Sequence, residues 1–217
     1  MPSSRASVGA GRRRSSDEIH RLLLEAASEL FAEKGYAATT TREIGVRAGV
    51  PEVMLFRHFG SKASLFSEAS LQPFNDFLSQ FAASWGVHVD EAELDESYLQ
   101  EFVGGLYELA RDRRKLIIDL VSAAEYEPEI LGTSGDGGPM LAGLAEIAGV
   151  GRAALARRGG GVDSELTVRA IISMVTATAV FRPLIFGGDD TDVDHDAVAR
   201  DLTVMAGRMI GGPSRRR

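Results

Sequence analysis

Between Ser15 and Lys62 the chain alternates helix-start and helix-stop residues at intervals too short for anything but a stack of small helices. Ser15 and Glu18 have capping-box spacing, and Ile19, Leu22, Leu23, Ala26, Leu30 and Phe31 then recur at helical intervals until Gly35. Thr40 and Glu43 repeat the capping box, Ile44 and Ala48 supply an apolar face, and Gly49 closes this second helix. Pro51 suits a first helical turn, where its missing N–H does no harm, so a third helix of about two turns runs to Phe59 and stops at Gly60. Ser61 caps a fourth, with Leu65, Phe66 and Ala69 following, and Pro73 interrupts or restarts that pattern. Two short helices joined by a tight glycine turn and braced by a preceding helix form a helix-turn-helix layout.

Past Pro73 the periodicity predicts helices at about 74–85, 96–111, 113–126, 139–158, 165–186 and 195–210. Breaks are expected at Gly86–Asp95, Gly132–Pro139, Gly159–Gly161 and Gly187–Asp194. No convincing strand and no internal repeat is found, so the fold class expected is all-α. The organisation expected is a disordered basic arm at 1–14, a helix-turn-helix domain at 15–70 and a helical body at 71–217.

The 217 residues carry a formal charge of −7, which by itself argues against a phosphate-binding surface. The distribution weakens that objection. Residues 1–70 hold 10 basic and 8 acidic side chains, whereas residues 71–217 hold 14 and 23. A near-neutral or basic reader attached to an acidic body fits this asymmetry. Arg5, Arg12, Arg13 and Arg14 lie in a leader with no acid, which reads either as a tail touching phosphate or as a solvated segment. Cysteine is absent, which removes disulfides and thiolate chemistry and agrees with a cytoplasmic location. The start of the chain has no apolar run of the secretory type. The longest uncharged apolar stretch, Ala170–Phe181, is shorter than the ~20 residues of a membrane span, so no membrane partner is expected.

Three short strings occur in order at close spacing: Thr40-Thr41-Arg42-Glu43-Ile44, Ala48-Gly49-Val50, and Leu55-Phe56-Arg57-His58-Phe59-Gly60-Ser61-Lys62. Together they resemble the TetR family of transcriptional regulators, from about Ile19 to Phe66. The resemblance implies that the helix from Pro51 to Phe59 enters the major groove of operator DNA while the helix from Thr40 to Ala48 meets the backbone. It implies a DNA-facing set of Thr41, Arg42, Pro51, Glu52, Val53, Phe56, Arg57, His58 and Lys62. Free N–H groups at a helix start attract anions, and Thr41 and Arg42 add a hydroxyl and a permanent cation there. Leu55 and Phe59 are spaced to face the core, leaving Glu52, Val53, Phe56 and Arg57 outward or sideways.

The sequence departs from the family at Pro51, often Ser or Thr, and at Phe56, often Tyr, so two phosphate-bonding hydroxyls are missing. Glu52 repels phosphate, yet a carboxylate accepts from the N4 amine of cytosine; capping and solvation are its other readings. Arg57 suits guanine or phosphate, and His58 and Lys62 suit phosphate, with a structural hydrogen bond the alternative for His58. Val53 and Met54 suit thymine methyls, or in the case of Met54 the core.

In the body, the helix expected at 165–186 is apolar on more than one side, which calls for a second covering surface. Ile171, Met174, Val175, Leu202 and Met205 are the interface residues expected of a homodimer, matching the family's use of its last two long helices. The resemblance further implies a small-molecule effector pocket in the middle helices, with Phe102, Leu106, Tyr107, Leu120, Tyr126 and Met174 as its candidate lining. Repression relieved by that effector is the family default. No cofactor is expected.

Other chemistries find less support. The run Asp190, Asp192, Asp194, Asp196 and Asp201 has His195 where a calcium loop needs Gly, and capping with a solvated loop explains it. His20, His58, His88 and His195 show no paired ligand spacing, and Gly159–Gly161 lacks phosphate-loop context. No convergent acid, base and nucleophile set suggests an enzyme. A helical interaction module whose reading head has lost DNA binding is the main alternative.

Overall fold

The computed structural model describes residues 14–88, 96–131, 145, 147–149, 164–187 and 193–211. Among them every regular element is helical. These are α1 (Ser16–Lys34), α2 (Thr41–Ala48), α3 (Glu52–Phe59), α4 (Lys62–His88), α5 (Glu96–Asp112), α6 (Arg114–Ala124), a 3₁₀ turn (Pro128–Leu131), α7 (Ser164–Phe186) and α8 (His195–Gly211). The expected arm at 1–13, most of the helix expected at 139–158 with Leu141 and Leu144, Asp190 and Asp192, and Arg215–Arg217 lie outside the described residues.

The caps read from sequence close as local chemistry requires. Ser15 Oγ accepts from the Glu18 N–H at 3.1 Å, and Gly35 ends α1 with φ of 82°. At α2, Thr40 and Glu43 satisfy each other reciprocally, and Gly49 takes the left-handed conformation, φ 62° and ψ 37°, that a non-glycine residue adopts at a cost.

Two apolar cores result. The first gathers Leu23, Ala27, Leu30 and Phe31 of α1 with Ile44, Leu55, Phe59, Leu65 and Phe66. It is completed by Leu116 and Leu120 of α6 and by Ile130 of the 3₁₀ turn. Its aromatic centre sets the Phe31 and Phe66 rings edge to face at 4.7 Å, with Tyr36 tilted over Phe66 at 4.6 Å. The second core packs Leu78 and Phe81 of α4 and Phe102, Val103, Leu106 and Tyr107 of α5 against Ile171 and Val175 of α7 and Leu202 of α8.

The sequence expectation of a break at Pro73 is corrected: α4 continues through it to His88. Proline removes one helical hydrogen bond, but Leu71 on one side and Leu78 and Phe81 on the other are buried in the two cores and hold the helix together. The helix therefore spans the boundary expected at residue 70, joining reading head to body.

α7 is long and apolar enough to cross a membrane, with a mean hydropathy of 1.5 over its most apolar window. That apolarity divides between two faces. At 100° per residue, Val168, Ile171, Val175 and Ala179 share the buried face, and Leu166, Ser173, Ala177 and Leu184 lie on the opposite side.

Candidate nucleic-acid interface

The outer surface of the head is built by α2, its glycine turn and α3. Leu55 and Phe59 are buried, so the rest of α3 must turn outward; Val53, Phe56 and Arg57 are exposed. Pro51 is exposed at the start of α3, where no side chain caps the helix. Arg42 is exposed in the first turn of α2 and has no ion pair among the described residues. The α2 start thus offers the Thr41 and Arg42 backbone N–H groups and one guanidinium to an anion.

Arg57 is likewise exposed, whereas Arg47, Lys34 and Arg14 near this surface are engaged. Arg47 bridges to Glu29 at 2.9 Å and Glu33 at 3.3 Å on α1, which raises its pKa further and ties α2 to α1. Lys34 donates to Glu43 at 2.6 Å. That bond, followed by the Thr40 N–H and hydroxyl, holds the Glu43 carboxyl at about 2. Arg14, the one arm residue described, donates to the Gly49 carbonyl at 2.8 Å and so pins the end of the arm against the turn between α2 and α3.

Lys62 was expected to meet phosphate, and its geometry points inward instead. Its ammonium donates to the Tyr36 carbonyl at 2.6 Å and sits 4.2 Å from the centre of the Tyr36 ring. Burial pushes its pKa down, while nearby Glu127 opposes that shift. The Tyr36 hydroxyl in turn donates to Glu127 at 2.8 Å, linking the loop after α1 to the chain after α6. Sequence reading passed over this cluster because its members lie 26 and 91 residues apart in pairs.

His58 is half-buried, its ring 5.9 Å from that of His20, which stacks on Phe59 at 4.5 Å and faces Glu68 at 3.2 Å. Met54 packs against the head core rather than reaching outward. Glu52 is half-buried, and its carboxylate accepts from the Thr41 hydroxyl at 2.5 Å. Of the nine DNA-facing candidates, Arg42, Pro51, Val53, Phe56 and Arg57 lie on one open surface, with Thr41 and Glu52 between the helices.

The other two candidate sets are not brought together as expected. Ile171, Val175 and Leu202 are buried in the core of a single chain, since α7 and α8 each pack on α5, and cannot also form a docking surface. Met205 is half-exposed and Met174 partly buried. On these two helices the large apolar side chains left exposed are Leu166, Phe181, Leu184, Ile185 and Phe186 of α7 and Val204 and Met205 of α8. Among the effector candidates, Phe102, Leu106, Tyr107 and Met174 belong to the second core. Leu120 turns into the head core because α6 packs beneath it, and Tyr126 is 87% exposed beside an open groove of about 810 Å³ between head and body. A smaller polar recess of about 310 Å³ lies between α5 and α8, where the Tyr107 hydroxyl and His195 Nδ1 are 3.0 Å apart. Among the described residues no cluster of His, Asp or Glu is arranged to hold a metal, and Asp194 caps α8 by accepting from the Ala197 N–H at 2.9 Å.

Comparison with known proteins locates the same segment. Residues 23–69 match the profile of bacterial regulatory proteins of the tetR family. An HTH-type transcriptional repressor of Mycobacterium tuberculosis is 47% identical over 49 residues, 23% of this chain and 26% of the relative. The chain thus aligns with only about a quarter of that relative's length. A TetR-family regulator from Mesorhizobium loti superposes with a TM-score of 0.69 at 22% identity, covering 91% of this chain and 98% of the other. The TetR-family repressor FadR of Thermus thermophilus, solved in complex with lauroyl-CoA, superposes with a TM-score of 0.60 at 15% identity over 91% and 97%. Residues 23–69 thus match the tetR-family model, and the chain as a whole shares the fold of TetR-family regulators of solved structure.

Proposed function

We propose that this protein is a sequence-specific DNA-binding transcriptional regulator, a cytoplasmic homodimer that represses until a small-molecule effector releases it. The observation that carries this reading is the outward face of the head. Arg42, Val53, Phe56 and Arg57 are all exposed there although the helices bearing them are fixed by a buried core, an arrangement with no use inside one chain. Arg42 supplies phosphate affinity, Arg57 and Glu52 base discrimination, and Val53 and Phe56 apolar contact with thymine methyls.

Dimerisation rests on the outer stripe of α7, with Leu166, Phe181, Leu184 and Ile185 exposed, continued by Val204 and Met205 of α8. An apolar patch of this kind marks an interaction surface, and a two-fold pairing presents two heads to successive major grooves about 34–36 Å apart. The effector is a small, largely apolar molecule taken up around Phe102, Leu106, Tyr107 and Met174; of the lauroyl-CoA bound by the Thermus thermophilus protein, the acyl chain has that character and the charged nucleotide does not. Release requires the ligand to favour a head separation that no longer fits both grooves, and a coupling of about 1–3 kcal/mol weakens operator binding roughly 5- to 150-fold.

Selection of genomic fragments by the purified full-length protein tests the reading. Enrichment of a pseudo-palindrome, with affinity falling steeply as salt rises, is expected. Binding without sequence preference would leave a helical interaction module as the better account.

A further inference from the structure

The structure assigns Thr41 as the positioning residue that aims the Glu52 carboxylate at a base edge, making the pair a single specificity determinant; this rests on the DNA-reading function proposed above. Three observations on α2 and α3 converge on it. Thr41 is the first residue of α2 and Glu52 the first of α3, and the Thr41 hydroxyl donates to Oε1 of Glu52. Gly45, one turn after Thr41 on the same face of α2, lets the two helices approach closely: a methyl group there would stand 2.9 Å from the Val50 carbonyl and 3.4 Å from Glu52 Cα. The Val50 N–H donates to the Gly45 carbonyl at 2.9 Å, so the backbone leading into α3 is held against the same face.

A threonine hydroxyl carries one hydrogen. Directed at Glu52, that hydrogen is not available to a DNA phosphate, so Thr41 does not serve as the phosphate donor that its place at a helix start suggests. The free glutamate side chain has several rotamers and, at a DNA surface, would swing away from phosphate. Held through Oε1, it keeps Oε2 as an acceptor. The base edge that offers a hydrogen to such an acceptor in the major groove is the N4 amine of cytosine. The hydroxyl thus turns a side chain that repels phosphate into a reader of one base pair.

The test is selection from a random-sequence library with the full-length protein, followed by affinity measurement on the selected site and on its variant at each base pair. Glu52→Gln should alter preference at one cytosine-guanine pair about 5- to 150-fold. Thr41→Val should relax preference at that same pair by about 3- to 10-fold, Thr41→Ser should retain it, and Thr41→Val in the Glu52→Gln background should add less than about 2-fold. Helicity and melting temperature are checked for each variant, and if Thr41→Val unfolds, Thr41→Ala, which removes the hydroxyl without adding a methyl, replaces it. A uniform loss on all sequences with preference intact would make Thr41 a phosphate ligand and overturn the proposal, as would equal effects of Thr41→Val in both backgrounds. Should the unmodified protein enrich no sequence, the DNA-reading function itself fails and this inference falls with it.

Discussion

Replacing Lys62 with methionine separates a structural lysine from a phosphate-binding one. The change keeps the length and apolar stem of the side chain while removing its ammonium. Two contacts disappear: the 2.6 Å hydrogen bond to the Tyr36 carbonyl and the position 4.2 Å from the Tyr36 ring centre. A hydrogen bond to a charged group is worth about 1.5–3 kcal/mol and an accessible cation–π contact about 0.5–1 kcal/mol. Burial of the ammonium, visible in its lowered pKa, offsets part of that gain. A net loss of about 1–2 kcal/mol is expected, which for a chain of this size lowers the melting temperature by about 2–8 °C at fixed protein concentration. Circular dichroism melts give this shift, and operator affinity across a salt series gives the second readout. A phosphate contact contributes about 0.9 to the slope of log K against log salt. Lys62→Met should leave that slope unchanged, whereas Arg42→Ala should reduce it by about one unit. An unchanged melting temperature together with a reduced slope for Lys62→Met would refute the structural assignment.

Leu184→Asp combined with Ile185→Asp should convert the proposed dimer to a folded monomer by light scattering, because both side chains are exposed in one chain. Val175→Asp, by contrast, should unfold the body, since it leaves an unpaired charge where the side chain is fully buried; a monomeric unmodified protein would remove the interface argument. Glu43 has a folded pKa of about 2 against an ordinary 4.5, so its contribution is complete above about 4.5 and is lost as pH falls towards 2. Glu43→Gln should therefore flatten the acid limb of the stability–pH curve, and superimposable limbs in denaturant titrations would contradict this. Tyr36→Phe removes the hydroxyl bond to Glu127 and should cost about 0.5–1.5 kcal/mol in the same titrations, with no loss expected if the bond is idle.

The reading head was legible in the sequence because its information is local. Ser15 with Glu18, Thr40 with Glu43, and the glycines at 35, 49 and 60 each act within a turn of helix, so their spacing alone places α1 to α3. Outward and inward faces of α3 followed from Leu55 and Phe59 for the same reason. Periodicity does not tell which partner a charged group meets across the fold. By spacing alone Lys62 therefore reads as a phosphate donor, and Thr41 and Glu52 as two independent contacts, whereas the fold turns Lys62 onto Tyr36 and brings α2 against α3 at Gly45. In α7 the difficulty was different. A helix apolar on two sides announces that two surfaces cover it, and the pattern does not say which is its own chain: Ile171 and Val175 belong to the core, Leu166 and Leu184 to the outside.

α4 and the head core both run across the boundary expected at residue 70, and the packing that makes them do so bears on regulation. A domain joined through a flexible linker closes its own core, whereas this head borrows Leu116 and Leu120 from α6 and Ile130 from the turn that follows. Three further bonds cross the same junction: Tyr36 to Glu127, and Lys115 Nζ to the Ala32 and Glu33 carbonyls at the end of α1. Close-packed interiors transmit displacement rather than absorb it. α4 carries Leu65 and Phe66 in the head core and Leu78 and Phe81 in the body core on one continuous helix, so its two ends cannot shift independently without breaking apolar contacts in both. Under the regulation proposed above, a displacement around Phe102 and Leu106 would reach the head as motion of α4 and α6 together, turning α2 and α3 as a unit. The recognition surface would keep its internal geometry while its orientation changed, the kind of motion that alters the spacing of two heads in the proposed dimer without unfolding either.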